Sequence, residues 1–252
     1  MSIESSGRSD VGCIRTNNED RVLLAPPLGF YAVCDGMGGH QRGDLAAEVA
    51  VSALKQYMEA SADRFEITWP FGYQYELSID ANRMNTAIKL ANRLVWRTSE
   101  KQLEYAGMGT TIAAILVEGD HLVAGNVGDS RIYRVRAGAL EQLSVDDTII
   151  ASMLQRGLLT GETSRKHPMR NVLTQAAGSQ ENVEVHLHES TLELADMLLL
   201  CSDGLHGVVE EDEISGILQT GQTEERKVSQ LIEAARAAGA PDNISAIIVT
   251  IG

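Results

Sequence analysis

The chain has 252 residues and carries 21 Lys+Arg against 35 Asp+Glu, a formal net charge of −14. A chain this acidic lacks the basic stripe a nucleic-acid reader uses to displace counterions, and it is ill-suited to anionic membrane surfaces. The apolar share of 44% excludes wholesale disorder, and with only 4% aromatics the core must be filled by aliphatic side chains.

The elements read as follows in chain order. The opening MSIESSGRSD has neither a basic n-region nor an apolar h-region, so no signal peptide and a cytoplasmic location are expected. Phe30–Cys34 is a short apolar run of strand type. Residues 45–59 have helical spacing, with Leu45, Val49, Val51, Leu54 and Met58 on the apolar side. Residues 68–75, TWPFGYQY, are locally aromatic and read as a loop packed on the surface. Residues 80–104 form the longest helical pattern, with Ile79, Met84, Ile88, Leu90, Leu94 and Val95 as core positions.

A run of strands follows, spaced about ten residues apart, beginning with residues 110–117 and 122–127. Gly119-Asp120, Gly128-Asp129 and Ala137-Gly138 punctuate it as turn signals. Residues 146–170 are polar and weakly helical, a surface excursion or flap. His186 and His188 alternate on a strand and read as a solvent-facing pair, with a metal pair as the alternative. Met197–Cys201 is a strand, residues 214–218 and 228–238 are helical, and Ile244–Ile251 is the last strand. No apolar run approaches the ~20 residues needed to span a bilayer. Cys13, Cys34 and Cys201 form no CxxC pair and read as small buried hydrophobes.

Consecutive short strands with tight turns imply antiparallel pairing. Helices grouped in blocks, instead of alternating with strands, imply a layered α+β domain. No linker or repeat divides the chain, so one domain is expected.

Four aspartates share one setting. Asp35 and Asp203 follow apolar strands and precede glycines, Asp129 lies between two strands, and Asp242 immediately precedes the last strand. Ends of successive antiparallel strands meet on one rim, so these residues can converge. Packed carboxylates repel and raise each other's pKa. A hard divalent cation such as Mg²⁺ or Mn²⁺ relieves that repulsion. Singly, each Asp-Gly, Asp-Ser or Asp-Asn is an ordinary turn former.

The sequence resembles the bacterial metal-dependent Ser/Thr protein phosphatases of the type 2C (PPM) family. Residues 9–20, SDVGCIRTNNED, are similar to the family's opening G-x-x-R-x-x-N-x-D element, and residues 33–40, VCDGMGGH, to its D-G-M-G-G-H element. GTT at 109–111, NVGDSR at 126–131, NVLT at 171–174, LCSDGL at 200–205 and PDNI at 241–244 follow in the family's order. The resemblance implies a four-layer α-β-β-α sandwich, two antiparallel sheets flanked by helices, spanning 1–252 as one catalytic domain with the flap at about 146–170.

It also implies hydrolysis of phosphoserine and phosphothreonine on proteins by a metal-activated water at a binuclear Mn²⁺ or Mg²⁺ centre. Asp35 would bridge two ions, Gly36 would offer its carbonyl, and Asp203 and Asp242 would complete one shell. Glu19 or Asp20 would hold water on the second ion. Some members bind a third ion, whose ligands would be Asp129 and Asp203. Arg15 matches the arginine that grips the substrate phosphate. Eukaryotic relatives place a histidine where Met37 stands, so His40 is the candidate proton donor to the leaving group. Arg165, Lys166, His167 and Arg170 give the flap a positive character suited to phosphopeptides. The implied partners are phosphorylated proteins and a Ser/Thr kinase, with the phosphatase itself a monomer. A silent phospho-binding module on the same fold would have lost one or more ligands, and this set is intact. A calcium loop at 35–46 lacks oxygen ligands at its third and fifth positions, and no P-loop or full G-x-G-x-x-G occurs.

Overall fold

The computed structural model describes residues 1–38, 42–63, 67–159, 167–169 and 171–252. One five-stranded sheet holds, in spatial order, β1 (Ile3–Asp10), β12 (Ile244–Ile251), β11 (Met197–Cys201), β8 (Arg131–Arg136) and β9 (Ala139–Gln142). The other holds β10 (His186–Thr191), β7 (His121–Val127), β6 (Ile112–Glu118), β3 (Phe30–Cys34) and β2 (Arg21–Ala25). β4 (Gly36–Met37) and β5 (Gly109–Thr110) form a small ribbon. All these named strands pair antiparallel.

Helices α1 (Gly43–Ala60) and α2 (Ile79–Ser99) cover the β3-containing sheet, and α3 (Ile149–Gln155) lies in the flap segment. α4 (Asp203–His206), α5 (Glu211–Leu218) and α6 (Glu224–Ala237) cover the β12-containing sheet. The expected α-β-β-α layering is present.

The strands that read as continuous apolar runs bury both faces. On β12, Ile244, Ala246 and Ile248 face helices while Ile247, Val249 and Ile251 face the opposite sheet. On β3, Phe30, Ala32 and Cys34 face helices while Tyr31 and Val33 face the opposite sheet. Such strands carry no polar alternation, hence their legibility. β1 carries no such signal, because it is polar and lies at a sheet edge. Its Gly7 is fixed by packing, since a Cβ there would stand 2.9 Å from both Ile247 Cγ1 and Leu24 Cδ1.

Several expectations are corrected. The helix expected over 80–104 ends at Ser99 and is followed by a 3-10 turn at Leu103–Tyr105. The Thr98 hydroxyl donates to the Leu94 carbonyl at 2.8 Å and that of Ser99 to Trp96 at 2.7 Å, side-chain bonds that compete with helix continuation. Met84, Ile88 and Val95 are fully buried, but Ile79 and Leu94 are exposed and Leu90 is only partly buried. Each helical residue is turned about 100° from the next, so Leu94 falls off the stripe carrying Ala91 and Val95. Cys34 and Cys201 are buried, whereas Cys13 is exposed on the loop after β1.

The histidines on β10 are not a solvent-facing pair. His186 Nε2 lies 2.8 Å from Asp147 Oδ1, and His188 Nε2 is buried without a partner. Residues 68–75 form a loop as expected, with edge-to-face stacking of Trp69 on Tyr73 and Tyr73 on Tyr75.

The strand register places the chemistry. Cys34 lies opposite Arg21, Val127 opposite Ile112, Cys201 opposite both Arg131 and Ala246, and Asp10 opposite Ile244. The end of β3, the start of β2, the end of β7, the end of β11 and the start of β12 therefore share one rim of the sandwich.

Candidate metal centre

At that rim stand Asp20, Asp35, Asp129, Asp203 and Asp242, each one or two residues beyond a strand. The Asp35 backbone is held by Thr111: its N–H donates to Thr111 Oγ1 at 3.0 Å, and its carbonyl accepts the Thr111 N–H at 2.8 Å. Asp20 is buried and accepts the Ser202 hydroxyl on Oδ2 at 2.8 Å, while its Oδ1 is buried with no partner. Asp203 Oδ1 is likewise buried and unpartnered.

Proton affinities follow from the crowding. Desolvation and the charges of Asp203 and Asp242 push the Asp20 carboxyl up to about 7, against hydrogen bonds from Ser245 and Ser202. Desolvation and neighbouring Asp203 and Asp146 push Asp129 to about 7. Asp35 is raised well above the carboxylate range by desolvation and by Asp20, Asp203, Asp129 and Asp242. Asp203 is raised by desolvation and Asp242, with opposition from a hydrogen bond shared with Asp35 and from Arg15. Among the described residues no three acidic, imidazole or thiol groups meet at a common ligand point. Asp242 Oδ2 is turned onto Arg15 Nη2 at 2.7 Å.

The Gly36 carbonyl and Glu19 share a small volume at the start of α1. A Cβ on Gly43 would stand 2.7 Å from Gly36 O and 2.8 Å from Glu19 Oε2. A Cβ on Gly36 would meet the Gly43 carbonyl at 2.1 Å, so neither glycine can carry a side chain there without movement. Burial, with Asp44 and Asp242 behind it, outweighs Arg15 and raises the Glu19 carboxyl. Glu19 and Asp20 thus occupy different places, the first beside Gly36 and the second against Ser202.

Arg15 lies half-exposed over the acidic cluster, its guanidinium raised by the Asp242 hydrogen bond and by the charges of Asp242, Glu19 and Asp35. Asn243, quoted in a motif but given no role by sequence reasoning, holds the Arg15 loop in place. It donates from Nδ2 to the Val11 and Asn17 carbonyls at 3.0 and 2.9 Å and accepts the Glu19 N–H at 2.9 Å. A residue that binds three backbone groups of a distant loop leaves no sequence signal beyond its own identity.

His206, which lies in no sequence motif of its own, places Nε2 3.0 Å from the Asp129 carbonyl, and desolvation with nearby Arg131 lowers it to about 3. Asp146, at the base of the flap, receives Arg131 on both oxygens, at 3.0 to 3.1 Å from Nε and 2.7 Å from Nη2. His40, Arg165, Lys166 and Arg170 lie outside the described residues.

The donor set is all oxygen: crowded carboxylates whose repulsion a cation relieves without protonation, two of them with orphaned buried oxygens, beside a main-chain carbonyl packed too tightly for a Cβ. That chemistry fits hard divalent ions.

The fold and this rim define a metal-dependent phosphatase architecture. The sequence pattern of the Protein phosphatase 2C family matches residues 16–247, and the chain belongs to that family. It is 34% identical over 246 residues to the serine/threonine protein phosphatase PstP of Mycobacterium tuberculosis, a match that covers 98% of this chain and 44% of that protein. The chain thus spans less than half the length of that relative. It is 33% identical to the serine/threonine phosphatase stp of Listeria monocytogenes, over 96% of this chain and 93% of that one. The solved catalytic domain of serine threonine protein phosphatase PstP in complex with two manganese ions superposes with a TM-score of 0.83, at 30% identity, over 99% of each chain. Among the described residues no helix is long and apolar enough to cross a membrane.

Proposed function

We propose that this chain is a Mn²⁺- or Mg²⁺-dependent phosphatase that hydrolyses phosphoserine and phosphothreonine on proteins. The observation that carries the reading is the rim of carboxylates, Asp20, Asp35, Asp129 and Asp203, all with raised proton affinity and two with orphaned buried oxygens. The two manganese ions of the PstP catalytic domain support it by analogy.

Asp35 would bridge two ions, with the Gly36 carbonyl, Asp203 and Asp242 as further ligands. Glu19, beside Gly36, is the better placed of the two candidates to hold water on the second ion, with Asp20 behind the site against Ser202. Asp129 and Asp203 would hold a third ion. Bound ions of this kind supply an activated water and an in-line clamp on the phosphoryl group.

The chain's own part is binding and orientation. Arg15 can swing its planar fork from Asp242 to two phosphate oxygens. Asn243 keeps the Arg15 loop at fixed height over the carboxylates. Thr111 holds the Asp35 backbone, so the bridging carboxylate enters the site at one angle. We take residues 1–252 as one catalytic unit with the segment 146–170 as its flap, acting as a cytoplasmic monomer opposite a Ser/Thr kinase and its substrates.

The test is hydrolysis of a phosphothreonine peptide by the parent chain and Asp203→Asn, each with Mn²⁺ and with EDTA. Manganese-dependent release of phosphate, abolished by EDTA and reduced at least a hundredfold in Asp203→Asn, is expected. Turnover indifferent to both would sink the reading.

A further inference from the structure

The Asp129 carbonyl is reached from across the site. Asp129 sits in the turn between β7 and β8, and His206 closes α4, the short helix that opens with Asp203. The 3.0 Å contact from His206 Nε2 to the Asp129 oxygen runs between them. A carbonyl can only accept, so Nε2 carries the proton and the ring is a donor to the main chain.

Both ends of this link are otherwise fixed. The Gly128 N–H donates to Asp147 Oδ2 at 2.9 Å, and the Ser130 hydroxyl lies 2.7 Å from Thr111 Oγ1, so the residues flanking Asp129 are tied to the flap base and to β6's neighbour. On the other side, a Cβ at Gly204 would stand 1.9 Å from the Asn243 carbonyl, which pins α4 against the start of β12. The imidazole therefore bridges two rigid bodies, one carrying the Asp129 carboxylate and the other the Asp203 carboxylate.

We propose that His206 is a positioning residue that sets the separation of the Asp129 and Asp203 carboxylates through the Asp129 main chain, and so the affinity of the divalent ion those two would share. This rests on the phosphatase reading above. A group that orients a ligand from behind typically contributes about 10- to 100-fold in metal affinity, and loss of the donor should weaken one binding step by about that factor.

The experiment is Mn²⁺ titration calorimetry on the purified chain and on Asp129→Asn, His206→Phe and His206→Gln, with thermal melting of each in EDTA as a check on folding. Asp129→Asn identifies the binding step that needs Asp129. The expected result is that His206→Phe, which fills the space without a donor, weakens that same step about tenfold or more and spares the others. His206→Gln, whose amide N–H can reach the same carbonyl, should restore most of the affinity. The proposal is overturned if Asp129→Asn removes no step, if a folded His206→Phe binds as the parent does, or if all steps weaken together with no rescue by His206→Gln. A parent chain that takes up no manganese at all overturns it together with the phosphatase reading, whereas a parent that binds and turns over normally beside an unaffected His206→Phe overturns this inference alone.

Discussion

The Ser202 hydroxyl donates to Asp20 Oδ2 at 2.8 Å and accepts the Ser245 N–H at 3.0 Å. One serine thus ties the residue before β2 in one sheet to β11 and β12 in the other, beneath the carboxylate rim. Ser202→Ala would take away the 2.8 Å donor to Asp20, a buried carboxylate whose other oxygen already has no partner. A buried polar group stripped of its partner costs about 1–3 kcal/mol, and for a chain of this size each kcal/mol is roughly 2–4 °C in melting temperature. The drop should be larger in EDTA than in saturating Mn²⁺. Equal melting of parent and variant under both conditions would show that the bond is energetically silent.

The raised carboxyls give metal-free protein a distinctive pH response. Asp20 and Asp129 titrate near 7 when folded and near the ordinary value of 3.8 when unfolded. Between those values the folded state binds more protons, so stability is greatest at the acidic end and is lost as pH rises through about 7. His206, lowered to about 3, acts in the opposite direction, but only up to its ordinary value of 6.5. From pH 6.5 to 8 that opposition has ended, and His186, raised by its hydrogen bond to Asp147, acts in the same direction as the carboxyls, so the EDTA-treated chain should melt at progressively lower temperature. Saturating Mn²⁺ should remove the carboxyls' share of that decline, because the ions bind the deprotonated carboxylates. A melting temperature in EDTA that is flat or rising across that range contradicts the shifts.

That Asp35, Asp129, Asp203 and Asp242 meet on one rim is legible from strand ends alone, while the ligand roles come from the family resemblance. Asp35, Asp203 and Asp242 follow or precede runs buried on both faces, and such runs show in a sequence without alternation. Adjacency hides direction, so the sequence leaves Glu19 and Asp20 as alternatives; only the fold turns Asp20 toward Ser202 and Glu19 toward Gly36. His206 and Asn243 act through backbone groups tens or hundreds of positions away, and no local pattern reports such a bond. Ile79 and Leu94 misled for a different reason. Helical spacing identifies a stripe, but its edges are set by the neighbouring helix, and the groove between α1 and α2 leaves Leu94 open.

Asp196 offers a control at the opposite rim, before β11. It is buried and receives Arg136 on both oxygens, 2.8 Å from Nε and 2.5 Å from Nη2, with the Glu193 N–H at 2.9 Å. Burial alone would raise its carboxyl, but Arg136 and the Glu193 N–H outweigh that and lower it. Its contribution is present above the ordinary carboxylate value and is lost as pH falls through the lower folded value. Asp196→Asn should cost about 1–3 kcal/mol at pH 7, measured by urea unfolding, with the gap to the parent closing toward pH 3. Manganese affinity and turnover should be unchanged. A change in either would mean that the two rims are coupled.

Arg15→Lys keeps the charge over the site and removes the fork. A lysine offers one point charge where the guanidinium offers two parallel donors, and a hydrogen bond to a charged group is worth about 1.5–3 kcal/mol. kcat/KM on a phosphopeptide should fall on the order of 10- to 100-fold, mainly through KM, with manganese binding retained. Parental kinetics in Arg15→Lys would remove Arg15 from phosphate binding.

Gly43→Ala tests the tight corner where α1 begins. Alanine is the better helix former by about 1 kcal/mol, so helix propensity alone predicts a gain in stability. The added methyl, however, would stand 2.7 Å from the Gly36 carbonyl oxygen and 2.8 Å from Glu19 Oε2. The Gly36 backbone and the Glu19 carboxylate must shift to admit it, and these are oxygens that the proposed metal site would use. The expected result is a chain that still folds, with manganese affinity and phosphatase turnover each reduced at least tenfold. Because Gly43 has no side chain of its own to lose, that result would assign the loss to displacement of Gly36 and Glu19. Unchanged metal binding and turnover in Gly43→Ala would remove the Gly36 carbonyl from the ligand set.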